Sequence, residues 1–317
     1  MEMVLKKSNS KSILSTKVLA NLAMLITVTL WGMSFVSIKL AVSEVPPVTL
    51  ALLRFLIAST ILFLILKKVE PTAKLQRSDL KKMMLTGFLG ITLYFFFENT
   101  GVRLTTASSA SLITSIIPII AITMDIIVFK TKVPLIQIIG ILVAMCGAYL
   151  SITANGQINF SSETFIGNLY VVGAMLSWTA YTLLNKSFKG KYSGLFLTTY
   201  QTLFGTLFLL PLSFFEHNQW HIFSLHAFGN ILYLAICCSA LGYFLYIYAL
   251  SHLDVTITTL YLNLMSIVGV IGGCIILSET VFPAQLLGGI MIIISIVMIN
   301  FAPSLKNMFA SPRTDAK

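Results

Sequence analysis

Residues 21–41 read NLAMLITVTLWGMSFVSIKLA, and their one charged side chain, Lys39, stands two residues from the end of the run. A helix rising about 1.5 Å per residue covers roughly 30 Å of hydrocarbon in such a run. A polar tail, residues 1–20, precedes it, and further apolar runs follow, so it reads as a span and not as a cleaved signal peptide. Those further runs occupy 47–66, 83–101, 107–129, 133–152, 166–185, 195–214, 228–250, 255–277 and 283–302. None alternates polar and apolar residues as barrel strands do, and lipid gives backbone groups no partner outside a helix or closed barrel. The expected fold is an all-α integral membrane protein with ten transmembrane helices.

Composition agrees. Of the 317 residues, 57 % are hydrophobic and 10 % charged, against about 25 % charged in soluble proteins. The net charge of +10 does not mark a nucleic-acid binder, because no basic face and no nucleic-acid motif accompanies it. Cys146, Cys237, Cys238 and Cys274 lie within apolar runs without a C-x-x-C pattern, which suits small buried hydrophobes and neither zinc nor a disulfide framework.

The basic residues set the orientation. With the N-terminus in the cytoplasm, 18 of the 21 Lys and Arg fall inside, and among the outer loops only Arg103 carries one. The inner groups are Lys6 to Lys17, Lys67 to Lys82, Lys130 with Lys132, Lys186 to Lys191, and Lys306 to Lys317. Both termini are expected in the cytoplasm, and the cell membrane is the expected location.

The halves repeat. Trp31 matches Trp178 and Lys39 matches Lys186 at an offset of 147; Tyr94-Phe95 matches Tyr243-Phe244 and Leu104 matches Leu253 at 149; Gln137 and Gly140 match Gln285 and Gly288 at 148. Each copy holds five helices, an odd number, so the second enters the membrane from the opposite side. The expected organisation is a tail at 1–20, repeats at 21–152 and 166–302, and a second tail at 303–317. Two inverted five-helix repeats are a hallmark of transporters, with the solute bound near the midplane.

Trp31-Gly32-Met33-Ser34-Phe35-Val36, then Lys39, Pro46-Pro47 and Leu53-Arg54-Phe55, resemble the start of an EamA domain of the drug/metabolite transporter superfamily. Glu98-Asn99 with Ala107 to Pro118, Ser177-Trp178-Thr179-Ala180-Tyr181, Tyr248-Ala249-Leu250, and Ser278-Glu279 followed by Gln285 to Gly289 extend the likeness over about 20–302. One departure is that the family's Gly-Glu before the last helix of each repeat is Ser278-Glu279 in the second and Lys130-Thr131-Lys132 in the first. The resemblance implies uniport or proton-linked exchange of amino acids and related metabolites, through a cavity lined by helices 1, 3, 4, 6, 8 and 9.

Glu98 is the sharpest signal, since a carboxylate inside a span faces a cavity or a partner. It reads as an amine ligand or proton carrier, or as half of an ion pair with Arg54, whose second-repeat counterpart is Gln201. Trp31 and Trp178, mid-span at matching positions, read equally as cavity walls or as helix packing. Tyr94, Tyr181, Tyr243, Tyr246, Tyr248 and Phe97 could line the same cavity, and Asn99 adjoins Glu98. Lys39 and Lys186 are expected to snorkel to the headgroups, and Asp125 to be a solvated helix end. Gly140-x-x-x-Ala144-x-x-x-Ala148 and Gly269-x-x-x-Gly273 read as packing stripes, and Pro118 as a kink. His217 and His221 have a chelating spacing, but exposed loop histidines rarely bind metal.

These residues favour a secondary or facilitative carrier of small polar metabolites, amino acids or related amines first. A larger nucleoside-like or drug-like cation is the alternative. An intramembrane enzyme is a distant one, because neither H-E-x-x-H nor G-x-S-x-G occurs. No cofactor is expected. The partners are a small solute and the lipid bilayer, with a homodimer open and nucleic acid excluded.

Overall fold

A computed structural model describes residues 2–117, 119–120, 123, 135–152, 162–188, 190–253 and 255–309. The expected kink at Pro118, the Asp125 helix end and Lys130 to Lys132 lie outside them, as does the side chain of Lys186.

All regular structure among the described residues is helical. Helix α1 spans Glu2–Ala41 and α2 Pro47–Val69. Helix α3, Leu80–Gly87, runs through a π-turn at Phe88–Leu93 into α4, Tyr94–Leu104. Then come α5 at Ala107–Thr114, α6 at Leu135–Ile152, α7 at Glu163–Asn185 and α8 at Gly194–Ser213. Helix α9, Leu225–Leu232, passes through a second π-turn at Tyr233–Leu241 into α10, Gly242–His252. The chain ends with α11, Val255–Ile276, and α12, Pro283–Phe309. Five stretches among the described residues are long and apolar enough to span a membrane: Thr16–Ala41, Pro47–Val69, Arg77–Leu104, Gly194–Gln219 and Leu225–Tyr246.

Residues up to Thr114 and from Asn159 to Thr280 form one compact unit. Phe55, Phe95, Ile91 and Leu209 join α2, α4 and α8 in a buried cluster, while Met24, Val28 and Ala249 join α1 and α10. Buried hydroxyls are tolerated because they bond back along their own helix: Thr27 donates to the Ala23 carbonyl at 2.8 Å and Thr206 to Thr202 at 2.7 Å. Large apolar side chains such as Leu64, Leu176 and Leu207 point outward, as lipid-facing residues do. The Gly269 and Gly273 stripe packs on α5, where an added Cβ at either would collide with Ser111 or Ser108.

Helix ends in this unit are tied by carboxylates from other segments. Glu216 accepts from the Val48 and Thr49 amides at 3.0 and 2.7 Å, and Glu44 from the Ser224 amide at 2.6 Å. Glu279 accepts from the Ala107 and Ser108 amides at 2.7 and 2.9 Å. Lys39 does not reach for headgroups as expected. It is half-buried, and its ammonium donates to the carbonyls of Val102 at 2.9 Å, Arg103 at 3.0 Å and Thr105, closing the end of α4. At the opposite ends of the helices, Asp79 pairs with Lys191 at 2.6 Å.

The second unit comprises Ser115–Ile158 and Val281–Lys317. Here α6 packs on α12 so closely that a Cβ on Gly147 would lie 2.6 Å from the Gly288 carbonyl oxygen. Ala144 is fully buried in the same stripe, the geometry that small residues permit between membrane helices.

Candidate solute-binding site

The two π-turns are where the site is built. A π-turn shifts the backbone ladder from i→i−4 to i→i−5 bonds, and each of these turns also takes a side-chain donor on one of its carbonyls. In the second turn the Cys238 carbonyl accepts the Trp31 indole N–H at 2.9 Å. In the first, the Leu89 carbonyl accepts from the Ser177 hydroxyl at 2.8 Å. Leu89 and Cys238 are 149 residues apart, the offset of the repeat. Each turn thus receives a donor from a helix of the other half.

The aromatic contacts repeat this exchange. Trp31 on α1 meets Tyr243 edge-on with centroids 5.4 Å apart and Tyr246 at 5.3 Å. Trp178 on α7 meets Tyr94 at 5.2 Å and Tyr181 at 5.1 Å. Shifting by the repeat offsets turns the Trp31–Tyr243 contact into the Trp178–Tyr94 contact. Tyr243 is also within electrostatic reach of Tyr181, Arg54, Glu98 and Tyr94, so the two aromatic groups converge.

Both buried charges lie close to them. Glu98 is 4 % exposed, and the Tyr94 hydroxyl donates to its Oε1 at 2.7 Å. Its Oε2 has no hydrogen bond among the described residues. Arg54, also 4 % exposed, donates through Nε to Ser239 Oγ at 2.8 Å, and its guanidinium lies 4.5 Å from the centre of the Phe95 ring. Arg54 and Glu98 feel each other's charge but form no salt bridge. The direct ion pair weighed from the sequence is therefore not made: Glu98 is bonded by Tyr94 and Arg54 by Ser239. Gln201, the counterpart of Arg54, is satisfied locally, accepting from Tyr181 Oη at 2.8 Å and donating to Asn185 at 2.7 Å.

The family's sequence profile, described as the EamA-like transporter family, matches residues 18–153 and again 165–301. The chain belongs to the EamA-like transporter family. It is an integral, multi-pass membrane protein and a transporter, consistent with its apolar helices. Among relatives, it is 26 % identical to an uncharacterized transporter of Archaeoglobus fulgidus over 279 residues, covering 88 % of this chain and 96 % of that one. It is 26 % identical to the uncharacterized transporter YetK of Bacillus subtilis, over 78 % of this chain and 76 % of YetK. A probable terminal-alkyne amino-acid exporter of Streptantibioticus cattleyicolor is 27 % identical, over 88 % and 92 % of the two chains. One crystal structure, at 16 % identity, superposes with a TM-score of 0.66 over 92 % of this chain and 99 % of its own, which shows a shared fold.

Of the residues singled out in this EamA-like chain, Trp31, Arg54, Tyr94, Glu98, Trp178, Tyr181, Tyr243 and Tyr246 come together. Asn99 does not: one helical step from Glu98, it is fully buried on the α2 side and donates to the Pro47 carbonyl at 2.9 Å. Phe97 packs against Tyr170, and Tyr248 against His252. His217 and His221 are exposed, with ring nitrogens on nearby carbonyls. Sequence reasoning quoted Ser177 only as part of the motif around Trp178 and did not single out Ser239, whose neighbours Cys238 and Ala240 carry no chemical signal.

Proposed function

We propose that this transporter is a secondary or facilitative carrier of small polar metabolites, with amino acids or related amines as the favoured class. In this reading ten spans form two inverted five-helix repeats, at 21–152 and 166–302. They rock about a central site in the cell membrane, with both termini in the cytoplasm. The observation that carries it is Glu98: a buried carboxylate with one oxygen unpartnered, beside Trp and Tyr contacts contributed reciprocally by both halves. A carboxylate flanked by ring faces attracts an ammonium group. The sequence holds no ATP-binding loop, so transport runs on a gradient. The exporter relative named for an amino-acid cargo supports the same class.

A larger organic cation is the second reading, favoured by the number of aromatic rings around Glu98. Thermal-shift measurements on the purified chain separate the two, because a ligand that binds the native state raises its melting temperature. Amino acids and small amines should raise it. A response to bulky quaternary cations alone would favour the second reading.

A further inference from the structure

A guanidinium has five N–H donors, and Arg54 commits only the Nε–H, to Ser239 Oγ at 2.8 Å. The four on its Nη atoms have no acceptor among the described residues. They are not sealed either. Asn99 Oδ1 is the side-chain polar atom among those residues that is both closed off and unpartnered, so the Nη edge of Arg54 opens onto reachable space. The Cζ of the group lies over the Phe95 ring, 4.5 Å from its centre, and over the Phe55 ring, 5.2 Å from its centre.

A buried cation needs an anion, and ring faces return less than burial costs. Among the described residues no protein carboxylate bonds to Arg54. Glu98 makes no salt bridge to Arg54 and is held by Tyr94. Glu44, Glu216 and Glu279 cap other helices, and Asp79 pairs with Lys191 and Tyr192. What remains is a buried, oriented, two-pronged donor edge without an acceptor among the described residues, the shape that grips a carboxylate with two parallel hydrogen bonds.

We propose that Arg54 is the carboxylate anchor of the solute site, with Ser239 as the positioning residue that fixes its plane. The inference rests on the carrier reading with Glu98 as amine ligand, and narrows it. The solute carries both a carboxylate and an amine, as an amino acid does, and the simple amines drop out of the favoured class.

The test uses the full chain in detergent. Phenylglyoxal reacts with accessible guanidinium groups, and peptide mass spectrometry reads its addition at Arg54. The probes are the common L-amino acids, with L-leucine and L-phenylalanine matched to 3-methylbutylamine and phenethylamine, which lack the carboxylate. Arg54 should be modified, and at least one amino acid should slow that modification roughly tenfold more than its matched amine, since a charged two-pronged contact is lost with the carboxylate. Absence of modification, equal protection by amine and amino acid, or no protection by any amino acid would overturn the anchor. In Arg54→Gln the amino-acid affinity should fall by roughly tenfold or more while amine affinity holds; Ser239→Ala should lower amino-acid affinity less, and in the same sense. Protection of Arg54 in a chain that exchanges no solute across liposomes would leave the anchor standing and remove the carrier reading.

Discussion

At the scale of the residue, the sequence announced Glu98 and Arg54 by their cost, since charges inside spans are rare and usually functional. It could not announce their partners. Tyr94 stands one turn before Glu98 and was visible as a neighbour, but Ser239 lies 185 positions from Arg54, and only folding brings it near. The absence of a direct ion pair changes what mutation should do. Glu98→Gln breaks no salt bridge to Arg54 and keeps an oxygen to accept from Tyr94, so its stability should fall by only about 1–2 kcal/mol, from the lost charge beside Arg54 and the weakened bond. Its affinity for amine-bearing solutes should fall roughly tenfold or more, because a charge-assisted hydrogen bond is lost. Melting curves and titrations on the same preparation check both halves, and unchanged affinity would remove Glu98 from the site.

At the scale of the element, the apolar runs predicted helices because only one backbone conformation satisfies itself in lipid. The π-turns were not legible. Phe88 to Leu93 and Tyr233 to Leu241 read as ordinary apolar helix, and Ser177 and Trp31, which donate to carbonyls in those turns, come from distant parts of the chain. Lys39 was misread for the same reason. A lysine ending a span usually seeks headgroups, but here the break at Thr105-Thr106 brings three carbonyls to it. Across that break Glu279 binds the first amides of α5. Thr106 Oγ1 independently accepts from the Ser109 amide at 3.0 Å, so α5 keeps a cap without Glu279. Glu279→Gln should therefore cost about 1–2 kcal/mol and leave the fold intact, read as a modest drop in melting temperature with unchanged helix content. No drop would mean that the carboxylate contributes nothing there. The preceding Ser278 has φ 53°, the left-handed region that glycine occupies without strain, which accounts for the Gly-Glu pattern that this chain departs from.

At the scale of the whole molecule, the repeat was legible from a few matched residues, and the reciprocal contacts of Trp31 with Tyr243 and Trp178 with Tyr94 give it a physical content. A pair that maps onto itself when the halves are exchanged is what two repeats related by a pseudo-two-fold axis produce, whether parallel or inverted. Reporter fusions test the inversion: joined after residue 80 or at the C-terminus they should read cytoplasmic, and near residue 160 external. A cytoplasmic signal at 160 would contradict it. The central claim is that the chain carries zwitterionic solutes through this site, and counterflow by the purified protein in liposomes tests it most directly. Liposomes preloaded with an unlabelled amino acid should transiently accumulate the same amino acid, labelled, from outside. Arg54→Gln should abolish that accumulation with its fold retained. Failure of every amino acid to exchange, while a simple amine or bulky cation does, would contradict the account.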